Sequence, residues 1–275
     1  MVVSAFTAFA FGGLLVTFLA SGVGLSNLLT STVVLIPAWI SLAVAVYAFN
    51  DLFDKEIDEK NGRDLPLSSG KVEESEIRNM IIFSSILALV LTAFLGLRAF
   101  SVCLAYLGIG VIYSAPPLEL KRRLFGKPLS VSMGLVLSYL VGVVSLGSLS
   151  TLHLYLLLVM GVHFFLNASV TDLRDVEGDK LENRSNLPLV IGRRHTAEVI
   201  MSSFIVMPVF AIIGYLYFGF NLLFIGLLGG LAVLNILKLA EYRRHYQEGR
   251  ICKEAIIRVF MAVYSYPVVF AVGIL

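Results

Sequence analysis

Charge is what this chain has least of. Only 15% of its 275 residues are Asp, Glu, Lys or Arg, and 58% are hydrophobic. A soluble domain carries about 25% charged and roughly 45–50% apolar residues. With a mean hydropathy of +0.88, the scarcity excludes a soluble globular domain and implies an integral membrane protein. Cysteine is almost absent as well. Cys103 and Cys252 are too few for a disulfide framework, and both read as inert thiols. No short apolar leader followed by a soluble domain is present, so the first apolar segment reads as a retained span. The net charge of +2 says little by itself, and no nucleic-acid partner is expected. The distribution of that charge says much more.

What the chain does have is long apolar runs, and a membrane span needs about 20 such residues. Candidates are Val2–Ser21, Thr32–Phe49, Met80–Leu97, Ser101–Leu118, Leu129–Val144, Leu152–Val170, Ile200–Phe218, Leu222–Leu239 and Ala255–Leu275. Nine spans put the termini on opposite sides. The connections after spans one, three, five and seven are short and almost uncharged. Those after the even spans are long and polar: Asp51–Arg78, Glu119–Pro128, Asp172–Glu198 and Glu241–Lys253. Every acid lies in or beside this second set, and of 21 Lys and Arg only Arg98 lies on the other side. The positive-inside rule then places all four polar loops in the cytoplasm. The expected architecture is an all-α membrane bundle of about nine helices with one chemically equipped face. It forms one polytopic domain over residues 1–275.

The spans themselves are nearly free of ionisable groups. Lys238 and Arg258 lie close enough to helix ends to snorkel, and His163 reads as a polar contact between helices rather than a proton relay. A transporter would place such groups at mid-membrane.

The chemistry concentrates where span two ends, at Asn50-Asp51-Leu52-Phe53-Asp54-Lys55-Glu56-Ile57-Asp58. Asp51, Asp54 and Asp58 are spaced three and then four, which returns to one helix face, and Asn50 aligns with Asp54 and Asp58. Asp172, Asp175 and Asp179 repeat that spacing after span six. Each set is followed by a basic turn and a Leu-Pro-Leu, at Leu65-Pro66-Leu67 and Leu187-Pro188-Leu189. A duplicated unit is the natural inference, with loops 50–78 and 171–198 related and the two acid clusters facing one cavity.

One D-x-x-D alone would be read as a solvated surface. Two matched clusters on the same face read as a cation site. No EF-hand loop is present, which argues against a dedicated Ca²⁺ module. Mg²⁺, which takes a few carboxylates plus substrate phosphates and water, suits the pattern. Asn50 adds a hard amide oxygen, and Arg63, Arg174 and Lys180 are placed to take phosphate oxygens. A diphosphate held this way becomes a good leaving group. In the second polar loop, Tyr113-Ser114-Ala115-Pro116-Pro117-Leu118-Glu119-Leu120-Lys121, the Pro pair ends the helix. Tyr113 reads either as a residue of the interfacial aromatic belt or as a ring face that stabilises an allylic cation, and Lys121 as a diphosphate contact. Arg122 and Arg123 read as positive-inside charges, and the fourth loop as an interfacial anchor.

The N-D-x-x-D-x-x-x-D run at Asn50–Asp58, the Tyr-Ser-x-Pro-Pro-x-x-x-Lys run at Tyr113–Lys121 and the D-x-x-D-x-x-x-D run at Asp172–Asp179 resemble the UbiA superfamily of intramembrane prenyltransferases. The resemblance implies a ring of nine transmembrane helices around a central cavity, capped by helical cytosolic loops. It implies Mg²⁺, as two ions, and transfer of a prenyl group from a prenyl diphosphate to a lipophilic acceptor. Asn50, Asp54, Asp175 and Asp179 become the expected direct or water-mediated metal ligands, with Asp51, Asp58 and Asp172 supporting them. Lys121, Arg63 and Lys180 become diphosphate ligands, and Tyr113, Ser114 and Asn167 further substrate-binding residues. Asp54, Asp175, Tyr113 and Lys121 carry the catalytic expectation. One departure is Leu65-Pro66-Leu67-Ser68-Ser69-Gly70, which lacks the Arg that the family often places before its Pro; Arg63 is the available substitute.

Two rivals belong to other classes. A CDP-alcohol phosphatidyltransferase needs a D-x-x-D-G-x-x-A-R run, and Asp54 is followed by Lys55. A secondary transporter would explain the spans and the repeat, but not their lack of mid-membrane polar groups. The acceptor stays open: an aromatic quinone precursor, a porphyrin or chlorophyllide, a sugar phosphate, or a glycerol phosphate. The sidedness is directly testable. In sealed inside-out vesicles a membrane-impermeant maleimide is expected to label Cys placed at Glu59, and to leave Cys placed at Arg98 unlabelled; the reverse pattern inverts the topology.

Overall fold

The computed structural model describes residues 2–60, 65–181, 184–245, 257, 259 and 262–275. Its helices are α1 (Val2–Ser21), α2 (Leu25–Lys60), α3 (Glu74–Phe94), α4 (Leu97–Ser114), α5 (Gly126–Leu146), α6 (Thr151–Asn167), α7 (Asp172–Leu181), α8 (Leu187–Phe218), α9 (Leu222–His245) and α10 (Tyr266–Ile274). Short 3-10 turns occupy Leu120–Arg122, Ala168–Val170 and Val263–Ser265. No strand occurs among the described residues. Seven helices, α2 to α6 with α8 and α9, are long and apolar enough to cross a membrane, and Ala5–Ser21 of α1 is a shorter apolar helix. The last expected span, Ala255–Leu275, lies partly outside the described residues. The protein is an all-α, multi-pass integral membrane protein.

Elements begin and end where local chemistry dictates. Ser150 caps α6 by accepting from the His153 amide, and Glu73 with Glu76 forms a capping box at the start of α3. Asn186 caps α8 by accepting from Leu189 N at 3.0 Å. α8 is itself broken at Gly192 (φ 83°, ψ 158°).

Successive helices pack on their neighbours, except that α6 packs on α8, as α7 also does, and α10 returns to α1. The bundle therefore closes on itself, and α1 and α5 also meet across it. That crossing depends on two glycines. A Cβ on Gly13 would stand 2.1 Å from the carbonyl oxygen of Tyr139, and one on Gly142 would stand 2.1 Å from that of Ala10. Backbone touches backbone, as small residues permit in membrane bundles.

On one side of this crossing Phe6, Trp39 and Tyr106 form an edge-to-face aromatic cluster, with centroids 5.7 and 5.3 Å apart. The Trp39 indole donates to Ser138 Oγ at 2.9 Å. On the other side His163 is buried against Phe164 and Phe204. It shares a 2.8 Å hydrogen bond with the Tyr266 hydroxyl, so it acts as the expected polar contact between helices. Val33, Phe83, Phe94, Leu154, Leu216 and Leu234 point outward. An apolar belt of this extent suits lipid, not water.

Gly142→Val is expected to wedge α1 from α5 and cost about 1–3 kcal/mol by overpacking. The measurement is the midpoint of thermal unfolding in detergent. Gly226→Val is the control, since a Cβ on Gly226 meets nothing within 4 Å.

Candidate active site

The polar chemistry gathers at one end of the bundle, on the last turns of α2, the α4–α5 connection, α7 and the approach to α8. The two acid clusters are carried differently. The first lies on α2, which runs unbroken from the apolar span through Lys60. The second lies on α7, a separate helix that follows α6 after the turn at Ala168–Val170.

Asn50 and Asp54 sit one turn apart on α2, and the Asn50 amide donates to Asp54 Oδ2 at 3.1 Å. Asn50 Oδ1 accepts from Ser114 Oγ at 3.1 Å and from Lys121 Nζ at 3.4 Å. Lys121 Nζ also donates to Asp54 Oδ1 at 2.7 Å, and both side chains are buried. A carboxylate removed from water needs an opposite charge and full hydrogen bonding. Lys121 supplies the charge, delivered by the 3-10 turn that follows the Pro pair.

Asp172 opens α7 and is 1% exposed. It is ion-paired with Lys127, on the first turn of α5. Asp179 accepts from the Asn186 amide at 2.6 Å. Arg184 lies between the clusters, its guanidinium 3.9 Å from Asp54 Oδ2 and 3.8 Å from Asp179 Oδ1. Its backbone N–H bonds Asp179 O at 3.0 Å, and the next amide, Ser185 N, bonds Arg122 O at 3.0 Å. That second bond ties the approach to α8 onto the α4–α5 connection. Asp58 is buried and Asp51 half-buried, with Asp54 and Asp58 within electrostatic range of Asp51.

The structure thus brings Asn50, Asp54, Ser114 and Lys121 into one hydrogen-bonded group, and Arg184 joins that group to Asp179. Tyr113 lies within electrostatic range of Lys127, Arg184, Asp172 and Asp54. Lys180 and Arg174 are exposed on α7. Arg63 and the side chain of Asp175 lie outside the described residues. Among the described residues no three carboxylates, imidazoles or thiols gather closely enough to hold a metal ion by themselves.

Lys127 and Arg184 escape a reading of the sequence. Lys127 stands outside the Tyr113–Lys121 run, and Arg184 looks like one more base in a turn. The available signal was position: each lies within ten residues of an acidic or lysine motif, on the same polar face.

Below this end lie two apolar cavities. One, of about 160 Å³, is lined by Asn50, Tyr113, Tyr106, Ser130, Val131 and Gly134, among others. The other, of about 190 Å³, is lined by Phe164, Asn167, Val170, Thr171 and Leu135, among others. Phe6, Tyr47 and Val131 belong to both walls. The Asn167 Nδ2 is buried without a hydrogen-bond partner, a costly arrangement that a bound polar group would relieve.

Fold and site together define an intramembrane enzyme that gathers anionic and cationic groups at the mouth of an apolar bundle. The chain belongs to the UbiA prenyltransferase family, whose model matches residues 3–264. The digeranylgeranylglyceryl phosphate synthase of Sulfurisphaera tokodaii is 29% identical over 238 residues, 85% of this chain and 82% of that one. A solved structure of digeranylgeranylglyceryl phosphate synthase in membranes is 20% identical, with a TM-score of 0.72 over 99% of this chain and 95% of that one. A UbiA homologue from Archaeoglobus fulgidus, bound to DMAPP and Mg²⁺, is 18% identical. Its TM-score is 0.69 over 96% of each chain. These two likenesses show the shared fold.

Removing one partner of the buried Lys121–Asp54 pair strands the other. Lys121→Met is expected to cost about 3–5 kcal/mol, and adding Asp54→Asn to recover most of it. Thermal unfolding of both variants checks this; a double variant no better than the single one refutes the pairing.

Proposed function

We propose that the protein transfers a prenyl group from a prenyl diphosphate to an aromatic or other lipophilic acceptor in a Mg²⁺-dependent reaction. One observation carries the reading: buried carboxylates of the two rows, Asp54 and Asp179, are bridged by the guanidinium of Arg184 at the polar mouth of apolar cavities. The guanidinium of Arg184 marks a point where the two rows jointly favour a cation. The donors around it are hard oxygens, few in number. That is the set Mg²⁺ uses when substrate phosphates and water complete its shell. The Archaeoglobus homologue's DMAPP and Mg²⁺ support the same assignment.

Asn50, Asp54, Asp175 and Asp179 would hold two Mg²⁺ ions directly or through water, with Asp51, Asp58 and Asp172 supporting them. Bound Mg²⁺ neutralises the charge developing on the leaving diphosphate. Lys121, Lys180 and Arg63 bind diphosphate oxygens, and Ser114 orients Asn50 through its hydroxyl. Tyr113, whose side chain lines the cavity, presents its ring face to the allylic cation formed when the carbon–oxygen bond breaks. The apolar walls exclude water, so the acceptor rather than solvent captures that cation. Asn167, with its unpaired amide in the second cavity, donates to the acceptor or to the prenyl substrate. The positive charge of the polar loops supports a site at the cytoplasmic face of the cell membrane. The Sulfurisphaera relative, named for a glyceryl phosphate lipid product, makes a lipid phosphate a first acceptor to try.

The test is turnover of radiolabelled geranylgeranyl diphosphate against a panel of lipophilic acceptors. EDTA is expected to abolish transfer and Mg²⁺ to restore it. Asp54→Ala and Asp175→Ala are each expected to lower turnover by on the order of a hundredfold. Undiminished transfer by either variant, or after metal removal, refutes the metal-held diphosphate.

A further inference from the structure

Two lysines, Lys121 in the α4–α5 connection and Lys127 on the first turn of α5, serve opposite acid clusters. Lys121 reaches Asp54 on α2, and Lys127 reaches Asp172 at the head of α7. Their relative placement is fixed by contact. A Cβ on Gly126 would stand 2.2 Å from Leu120 O, so the turn carrying Lys121 lies directly on the start of α5 that carries Lys127. Local helix energetics does not explain Lys127, because a cation in the first turn opposes the helix dipole. Its side chain is 20% exposed while that of Asp172 is 1% exposed. The lysine is thus the less enclosed partner of the pair. Tyr113 and Asp179 both lie within its electrostatic range.

We propose that Lys127 is a stand-in cation. It neutralises Asp172 while the site is empty and moves onto a diphosphate oxygen when the donor enters, leaving Asp172 free to support the metal. The proposal rests on the metal-held diphosphate described above and adds a role for a residue outside the three motifs. The physical basis is competition. Asp172 is too deeply buried to stand uncompensated, and an ammonium and a divalent cation compete for the same carboxylate oxygens. A diphosphate offers the ammonium an alternative partner, so it lowers the cost of admitting metal. Metal and diphosphate must then strengthen each other's binding by the same factor.

The experiment measures Mn²⁺ affinity of the full chain in detergent by electron paramagnetic resonance, with and without inorganic pyrophosphate. The wild type is expected to bind Mn²⁺ about tenfold or more tightly when pyrophosphate is present, within the usual range of such coupling. Lys127→Met is expected to bind Mn²⁺ more tightly than wild type without pyrophosphate, and to keep only the part of the enhancement that direct ligation of the metal by pyrophosphate supplies. Lys127→Arg is expected to retain it. Asp172→Asn supplies a readout that damage to folding does not imitate, because freeing Lys127 is expected to tighten pyrophosphate binding in the absence of metal. Unchanged coupling in folded Lys127→Met, or no gain in pyrophosphate affinity in Asp172→Asn, overturns the role of Lys127. A wild type that binds no Mn²⁺ even with pyrophosphate overturns instead the metal-held diphosphate itself.

Discussion

Everything at the polar end of this molecule follows from the cost of burying carboxylates. Asp54, Asp58, Asp172 and Asp179 are each less than a tenth exposed, in a chain with very little charge to spend. A buried carboxylate without compensation costs several kcal/mol. Lys121, Lys127 and Arg184 are therefore drawn inward, and Asn50 and Asn186 are turned to donate. The acids set the positions of the bases, and the bases in turn fix the α4–α5 connection and the approach to α8. What resembles a salt-bridge network is better described as charge held in reserve.

The apolar part of the bundle answers a different demand. Where α1 and α5 cross through Gly13 and Gly142, backbone meets backbone and no room is left. Elsewhere Phe6 of α1, Tyr47 of α2 and Val131 of α5 are the shared walls of two cavities. The space lies directly below the buried charge, where an isoprenoid tail would trail from a diphosphate.

Much of this was legible in the residues. The apolar runs gave the helices, the charge asymmetry separated the polar loops from the rest, and the acid spacing picked out Asn50, Asp54 and Asp179. What was not legible was the geometry of pairing. Asp172 and Lys127 are 45 residues apart in sequence, and Arg184 meets Asp54 across most of the bundle's connectivity. Neither partnership has a periodicity to betray it. The end of span six ahead of Asp172 was legible, but not the 3-10 turn at Ala168–Val170 that sets α7 off from α6, since Asn167 to Thr171 contains no Pro or Gly.

That difference between the two acid rows has a mechanical meaning. Asn50 to Asp58 ride on the same 36-residue helix that carries Trp39 and the aromatic core, so their placement is set by the membrane-embedded body as a whole. Asp172 to Asp179 ride on a ten-residue helix attached through a single turn of 3-10. One row is thus located by the whole membrane-embedded body, and the other by its immediate neighbours, the turn at Ala168–Val170 and α8.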